Sequence, residues 1–213
     1  LATASYHNAV TYARERQQGR SLSGVKNPEG EADPIIVHAE TRRSLLAMRA
    51  FIEGARALST WTGMLIDQEL LDPDAAKRAE AADLVALLTP IIKALFTDLG
   101  FESTNIGLQL YGGHGYIREW GMEQFVRDAR IGQIYEGTNH IQALDLVGRK
   151  LAEGDGRLVR RFAEVVAAEL QASGELPALA MHVQALADAI GALRRATAWL
   201  AGQATGNADE LGA

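Results

Sequence analysis

Apolar positions recur with a helical period along almost the whole chain. In the first stretch Ala4, Val10 and Ala13 recur with Tyr6 and Tyr12 at helical spacing, which predicts a helix over 4–18 ending in Gly19-Arg20-Ser21. The loop that follows, 22–33, holds Gly24, Asn27, Pro28 and Gly30 and is expected to be polar and mobile. Asp33-Pro34 reads as a helix start, because Asp can cap and Pro, lacking a donor, suits the first helical position. A second helix is predicted to about 70, with Leu45, Met48, Ile52, Ala55 and Leu58 along one side. Asp72-Pro73 repeats the device and opens a third helix to about 111, kinked at Pro90.

Gly112-Gly113-His114-Gly115 stops that helix. A short helix is predicted over 122–129, and another from Thr138 or Asn139 to 151 through Ile141, Leu144 and Val147. Gly154-Asp155-Gly156 reads as a linker to two more amphipathic helices, 157–172 and 176–204, split by Ser173-Gly174-Glu175. There is no sequence repeat and no convincing strand. The pattern predicts an all-α fold. The first three helices and the one after Thr138 form an antiparallel four-helix bundle over 1–152, and 153–213 is an appended helical segment.

Composition agrees with helices: 47% of the 213 residues are apolar and only 6% aromatic. The formal net charge of -6 argues against a nucleic-acid surface. The absence of cysteine excludes disulfides and thiolate chemistry. No apolar run approaches the ~20 residues of a membrane span and no signal peptide is visible, so a cytoplasmic location is the default expectation. The chain opens in helical pattern without a start methionine or a cap, and ends GNADELGA without a stop signal, so a fragment is expected.

Chemistry concentrates between 108 and 151. Glu136 stands in Tyr-Glu-Gly-Thr just before a helix. A carboxylate held among apolar neighbours has its charged form destabilised and suits a general base, with Gly137 letting backbone approach a ligand. The bland reading is an acidic residue near a helix start. Gly112, Gly113 and Gly115 fit an anion-accepting turn or a plain helix stop. A helix precedes them, so they fail the dinucleotide fingerprint. Arg14, Arg16, Gln17, Gln18 and Arg20 close the first helix, as a solvated end or as a fork onto phosphate. His38, His114, His140 and His182 are scattered, no Glu-x-x-His pair exists, and no metal site is expected. Trp61, Trp120 and Trp199 form no stacking platform for nucleic acid.

The run QLYGGHGYIREWGMEQFVRDARIGQIYEGTNHIQ resembles the C-terminal part of acyl-CoA dehydrogenases. The ordered features are Gln109 before Gly112-Gly113-x-Gly115-Tyr116, then Arg127-Asp128-Ala129, then Ile134-Tyr135-Glu136-Gly137-Thr138. Tyr12-Ala-Arg-Glu-Arg16 is similar to the first helix of that domain. The resemblance covers 1–152, and the loop after Gly19 and the extra C-terminal helices look like the family's long bacterial branch, whose members act on 3-methylmercaptopropionyl-CoA and fatty-acyl-CoA thioesters.

The resemblance implies the C-terminal helical portion of an FAD-dependent enzyme of fatty acid metabolism. It implies Glu136 as the base for the α-proton of an acyl-CoA, a trans-2-enoyl-CoA product, and an electron-transfer flavoprotein as acceptor. It implies Arg16, Gln18, Gln109, Gly112, Gly113, Thr138 and Asn139 as FAD contacts, several of them to the cofactor of a neighbouring subunit, hence a homo-oligomer. Two departures stand out. Gln18 runs straight into Gly19 where many members carry Phe, and a substrate-contacting arginine twelve residues after the base is here Gly148. Arg149 comes one later, about 100° round an α-helix, and is not assigned. The alternative is a non-catalytic helical oligomerisation module.

Overall fold

The computed structural model describes residues 1–203. Seven α-helices form among them: α1 (Ala2–Glu15), α2 (Ala39–Leu71), α3 (Ala75–Leu110), α4 (Met122–Arg130), α5 (Asn139–Asp145), α6 (Glu153–Gly174) and α7 (Ala180–Gln203). No strand forms among the described residues, only an isolated antiparallel bridge between Gln17 and Pro34. The all-α expectation holds. Residues 204–213, which include the expected helix end at 204 and the GNADELGA tail, lie outside the described residues.

The chain divides into two compact units. One comprises 1–60 and 93–138, the other 61–92 and 139 onward. In the first unit α1 buries Ser5, Ala9, Tyr12 and Ala13, the i, i+4, i+7, i+8 stripe of one helix face. Ala9 and Ala13 meet Leu45, Met48 and Ile52 of α2 in one core cluster. Each of these larger side chains contributes about 1.5–3 kcal/mol when fully enclosed. Gly107 of α3 lets Ser5 approach: a Cβ there would collide with the Ser5 hydroxyl and come within 3.1 Å of Met122 Cε.

Neither aspartate of the two aspartate-proline signals caps the helix expected of it. Pro34 leads into a 3-10 turn, Ile35–Val37, and α2 starts only at Ala39. Asp33 is fully enclosed and its carboxylate turns back onto the preceding loop. It accepts N–H groups from Ser21 (2.8 Å), Lys26 (2.9 Å) and Asn27 (2.7 Å), and the Arg20 guanidinium at 3.3 Å. Arg20 also donates to the carbonyls of Asn27 (2.8 Å) and Gly30. The loop expected to be mobile is therefore wound around one buried anion. At the second signal Asp72 Oδ1 accepts the Asp74 N–H and Asp74 Oδ1 accepts the Ala76 N–H, so the cap of α3 is Asp74. α3 then runs through Pro90 without interruption.

α3 is also long and apolar enough, by length and composition, to cross a membrane. The sequence expectation did not foresee this, and helices enclosed in the core of water-soluble proteins pass the same test.

In the second unit, Asp83 of α3 receives a forked pair from Arg157 of α6 (3.0–3.2 Å), and Glu80 receives Arg161 at 2.9 Å. The helix begun by α5 changes at 146–150 into a π-turn, closed by Leu151 N–H on the Leu146 carbonyl at 2.9 Å. Gly154, Asp155 and Gly156 follow with positive φ, as a linker rich in glycine allows. Arg149 sits inside the π-turn, where the 100° step of an α-helix does not apply, and pairs with Asp145 at 2.8 Å.

Candidate functional site

α1 ends at Arg16, which leaves the helix in extended conformation. The chain makes its detour through the Asp33 loop and returns antiparallel to where it left. Gln18 N–H donates to the Asp33 carbonyl (2.9 Å), Asp33 N–H to Gly19 (2.9 Å), and Ile35 N–H to Arg16 (2.8 Å). His38 adds its Nε2–H to the Gln18 carbonyl at 2.9 Å. Arg16 and Gln18 are thus exposed side chains on a clamped backbone, and Arg16 donates to Gln18 Oε1 at 3.2 Å.

The glycine turn meets them. α3 ends at Leu110, and Gly112–Tyr116 coil into a 3-10 turn with Gly112 at φ +58. Gly115 is obligatory: a Cβ would overlap the Leu108 carbonyl and reach Tyr111 Cβ at 2.9 Å. Around Gly112 and Gly113 nothing stands within 4 Å of a Cβ position, so a ligand can lie against the backbone. Four rings brace the turn on α1. Tyr12 stacks on Tyr111 (4.0 Å), His114 stacks on Trp120 (4.6 Å), and the Tyr12 hydroxyl bonds His114 Nδ1 at 2.9 Å. The Tyr111 hydroxyl donates to the Asn8 carbonyl at 3.1 Å, and burial raises its pKa, with Tyr12 and Glu15 adding to the effect.

These parts enclose a cavity of about 360 Å³ whose lining includes Arg16, Gln18, Gln109, Gly112 and Gly113, five of the seven cofactor-contact residues expected from sequence. Among the described residues that line it none is acidic and Arg16 is the only formal charge, although the chain carries a net charge of -6. An arginine, two amide side chains and open backbone suit an anionic, polyoxygen group, and a cavity of this size holds part of a dinucleotide. Sequence reasoning missed the ring cluster and Asp33. Gly115 next to a histidine was the one visible signal for the former.

Glu136 and Thr138 stand apart from this lining, and Asn139 opens α5 in the second unit. Glu136 has φ +54 and Gly137 φ +81, two successive left-handed residues that swing the chain out of the 3-10 turn Ile131–Gln133. For glutamate that conformation is strained by about 1–3 kcal/mol. The enclosed apolar setting expected for its carboxylate is absent: Glu136 is exposed, beside the half-exposed Ile134 and Tyr135. Among the described residues no group of three or more His, Asp or Glu side chains is placed to hold a metal ion.

Residues 1–151 match the family model described as acyl-CoA dehydrogenase, C-terminal domain. The chain belongs to the acyl-CoA dehydrogenase family. It is 43% identical over 198 residues to 3-methylmercaptopropionyl-CoA dehydrogenase of Ruegeria pomeroyi, covering 93% of this chain and 32% of that protein. It is 34% identical over 159 residues to the broad-specificity linear acyl-CoA dehydrogenase FadE5 of Mycobacterium tuberculosis, covering 73% and 26%. Among solved structures, an acyl-CoA dehydrogenase complexed with FAD from Bacillus anthracis superposes with TM-score 0.57 at 26% identity, covering 80% of this chain and 28% of that one. Caenorhabditis elegans ACDH-11 shares the fold with TM-score 0.76 at 19% identity, covering 96% and 33%. The chain spans about a third of the length of these acyl-CoA dehydrogenases.

Proposed function

We propose that this chain is the C-terminal catalytic portion of an FAD-dependent acyl-CoA dehydrogenase. The observation that carries the reading is the acid-free cavity joining Arg16, Gln18, Gln109, Gly112 and Gly113. Arg16 and the amides of Gln18 and Gln109 would hold phosphate and ribose oxygens there, and the glycine turn would let the cofactor lie on the backbone. Thr138 and Asn139 would flank the cofactor just after the base. FAD, when bound, supplies an acceptor for the β-hydrogen as hydride. Glu136 takes the α-proton: its carboxylate bonds the proton as the α C–H pair moves into the new α,β double bond, giving a trans-2-enoyl-CoA. The exposed carboxylate becomes a stronger base once an acyl thioester covers it and removes water. An electron-transfer flavoprotein is the proposed electron acceptor. The half-exposed Ile117, Trp120 and Ile131 offer surface for a homo-oligomer.

The test is a visible spectrum of the purified chain and of the full-length protein after FAD addition and gel filtration. A flavin band that co-elutes and bleaches with acyl-CoA in the full-length protein supports the reading. A full-length protein that stays colourless overturns it in favour of a helical oligomerisation module.

A further inference from the structure

His114 lines the cavity, yet neither the motif nor the base mechanism gives it a task. Its ring is held on three sides. Trp120 stacks against it at 4.6 Å with the planes 9° apart, Tyr12 stands edge-on at 85°, and the Tyr12 hydroxyl lies 2.9 Å from Nδ1. Tyr12 is itself 9% exposed, stacked on Tyr111, which is tied to the Asn8 carbonyl. So much fixing leaves one ring nitrogen, Nε2, without a protein partner among the described residues. No carboxylate lines the cavity to compete for it.

We propose that His114 binds the ligand of this cavity directly: Tyr12 O–H donates to Nδ1, which places the proton of the neutral ring on Nε2, and Nε2–H donates to an anionic oxygen of the diphosphate of FAD. This rests on the flavin reading of the cavity. The chemistry follows from the two inequivalent ring nitrogens: the partner of one decides what the other offers. A donor clamped in place before the ligand arrives costs little ordering on binding. His114 then complements Arg16, a charged fork and a neutral directional donor addressing the same group.

The experiment uses the full-length protein, with FAD as probe and flavin fluorescence quenching as readout, and ADP as competitor to report on the diphosphate. His114→Gln puts an amide nitrogen near the place of Nε2 and is expected to stay within about threefold of the parent Kd. His114→Phe keeps the stack on Trp120 and the thermal midpoint but loses the donor. It is expected to weaken both FAD and ADP by about tenfold. Tyr12→Phe is expected to weaken FAD by about threefold in the parent and to add nothing on top of His114→Gln, a coupling that mere packing would not produce. Equal affinity of the parent and His114→Phe overturns the proposal. So does parallel loss of affinity and thermal midpoint in all His114 variants. A parent that binds no FAD overturns the flavin reading first and this proposal with it, a result separable from failure of the variants alone.

Discussion

The two halves of the candidate site are built in opposite ways. The cavity is clamped at every wall: a backbone ladder on one side, four interlocked rings on the other, and a glycine that admits no Cβ between them. The Glu136 turn has a strained backbone and an exposed carboxylate. On the proposed reading, cofactor recognition would be preorganised within this chain, whereas Glu136 as base would receive its low-dielectric surroundings from whatever covers it. Rigidity belongs where a ligand stays through many turnovers, and openness where substrate enters and leaves.

The contrast can be broken most severely at the base. Glu136→Gln in the full-length protein is expected to keep flavin affinity while slowing acyl-CoA bleaching of the flavin by roughly 10²–10⁴-fold. Equal loss of flavin would mean that the halves are not separable. Next, Gly115→Ala forces a methyl onto the Leu108 carbonyl and should lower stability by about 1–3 kcal/mol, measured by denaturant unfolding, with weaker FAD binding.

Asp33 sharpens the comparison. Its pKa is held at about 2, chiefly by the Ser21 N–H, with burial opposing and the amides of Asn27 and Lys26 and the Arg20 guanidinium adding. A depressed folded-state pKa means that this contribution is complete above the unfolded value near 3.8 and fades as pH falls toward about 2. Hydrogen exchange at Ser21, Lys26 and Asn27 should therefore accelerate across that window. In Asp33→Asn it should be fast at neutral pH, with FAD affinity about tenfold weaker, since Arg16 and Gln18 hang on the same ladder. The smallest effect is expected from Tyr111→Phe, which removes the bond to Asn8 and about 0.5–1.5 kcal/mol of stability while keeping the aromatic ring in the cavity lining.

Helix number and order were legible because periodic apolar positions report directly on which faces are buried. Arg16, Gln18, Gly112 and Gly113 stood out locally as ambiguous candidates, and only the family pattern joined them to one another and to Gln109. They are polar residues on separate elements, and nothing in their local spacing says that α1 and the end of α3 meet. Asp33-Pro34 and Asp72-Pro73 show why local signals stop short. The same dipeptide starts a buried hub in one place and a two-step cap passed on to Asp74 in the other. Long-range burial decides which use the carboxylate finds. The π-turn at 146–150 was hidden for the same reason, since a lone Gly148 in an otherwise helical pattern does not announce a wider turn, and the one-residue displacement of Arg149 was judged with the step of an α-helix.

The cavity also has a history in time. Every bond that winds the Asp33 loop joins residues no more than twenty apart, so that wall can close early and locally. The ring wall joins Tyr12 to His114 and Asn8 to Tyr111, separations of 102 and 103 residues, and must wait for distant segments to find each other. A refolding chain is therefore expected to acquire one wall of the proposed cofactor cavity before the other. Flavin capture would mark the late event, and FAD added during refolding would report the docking of α3 onto α1.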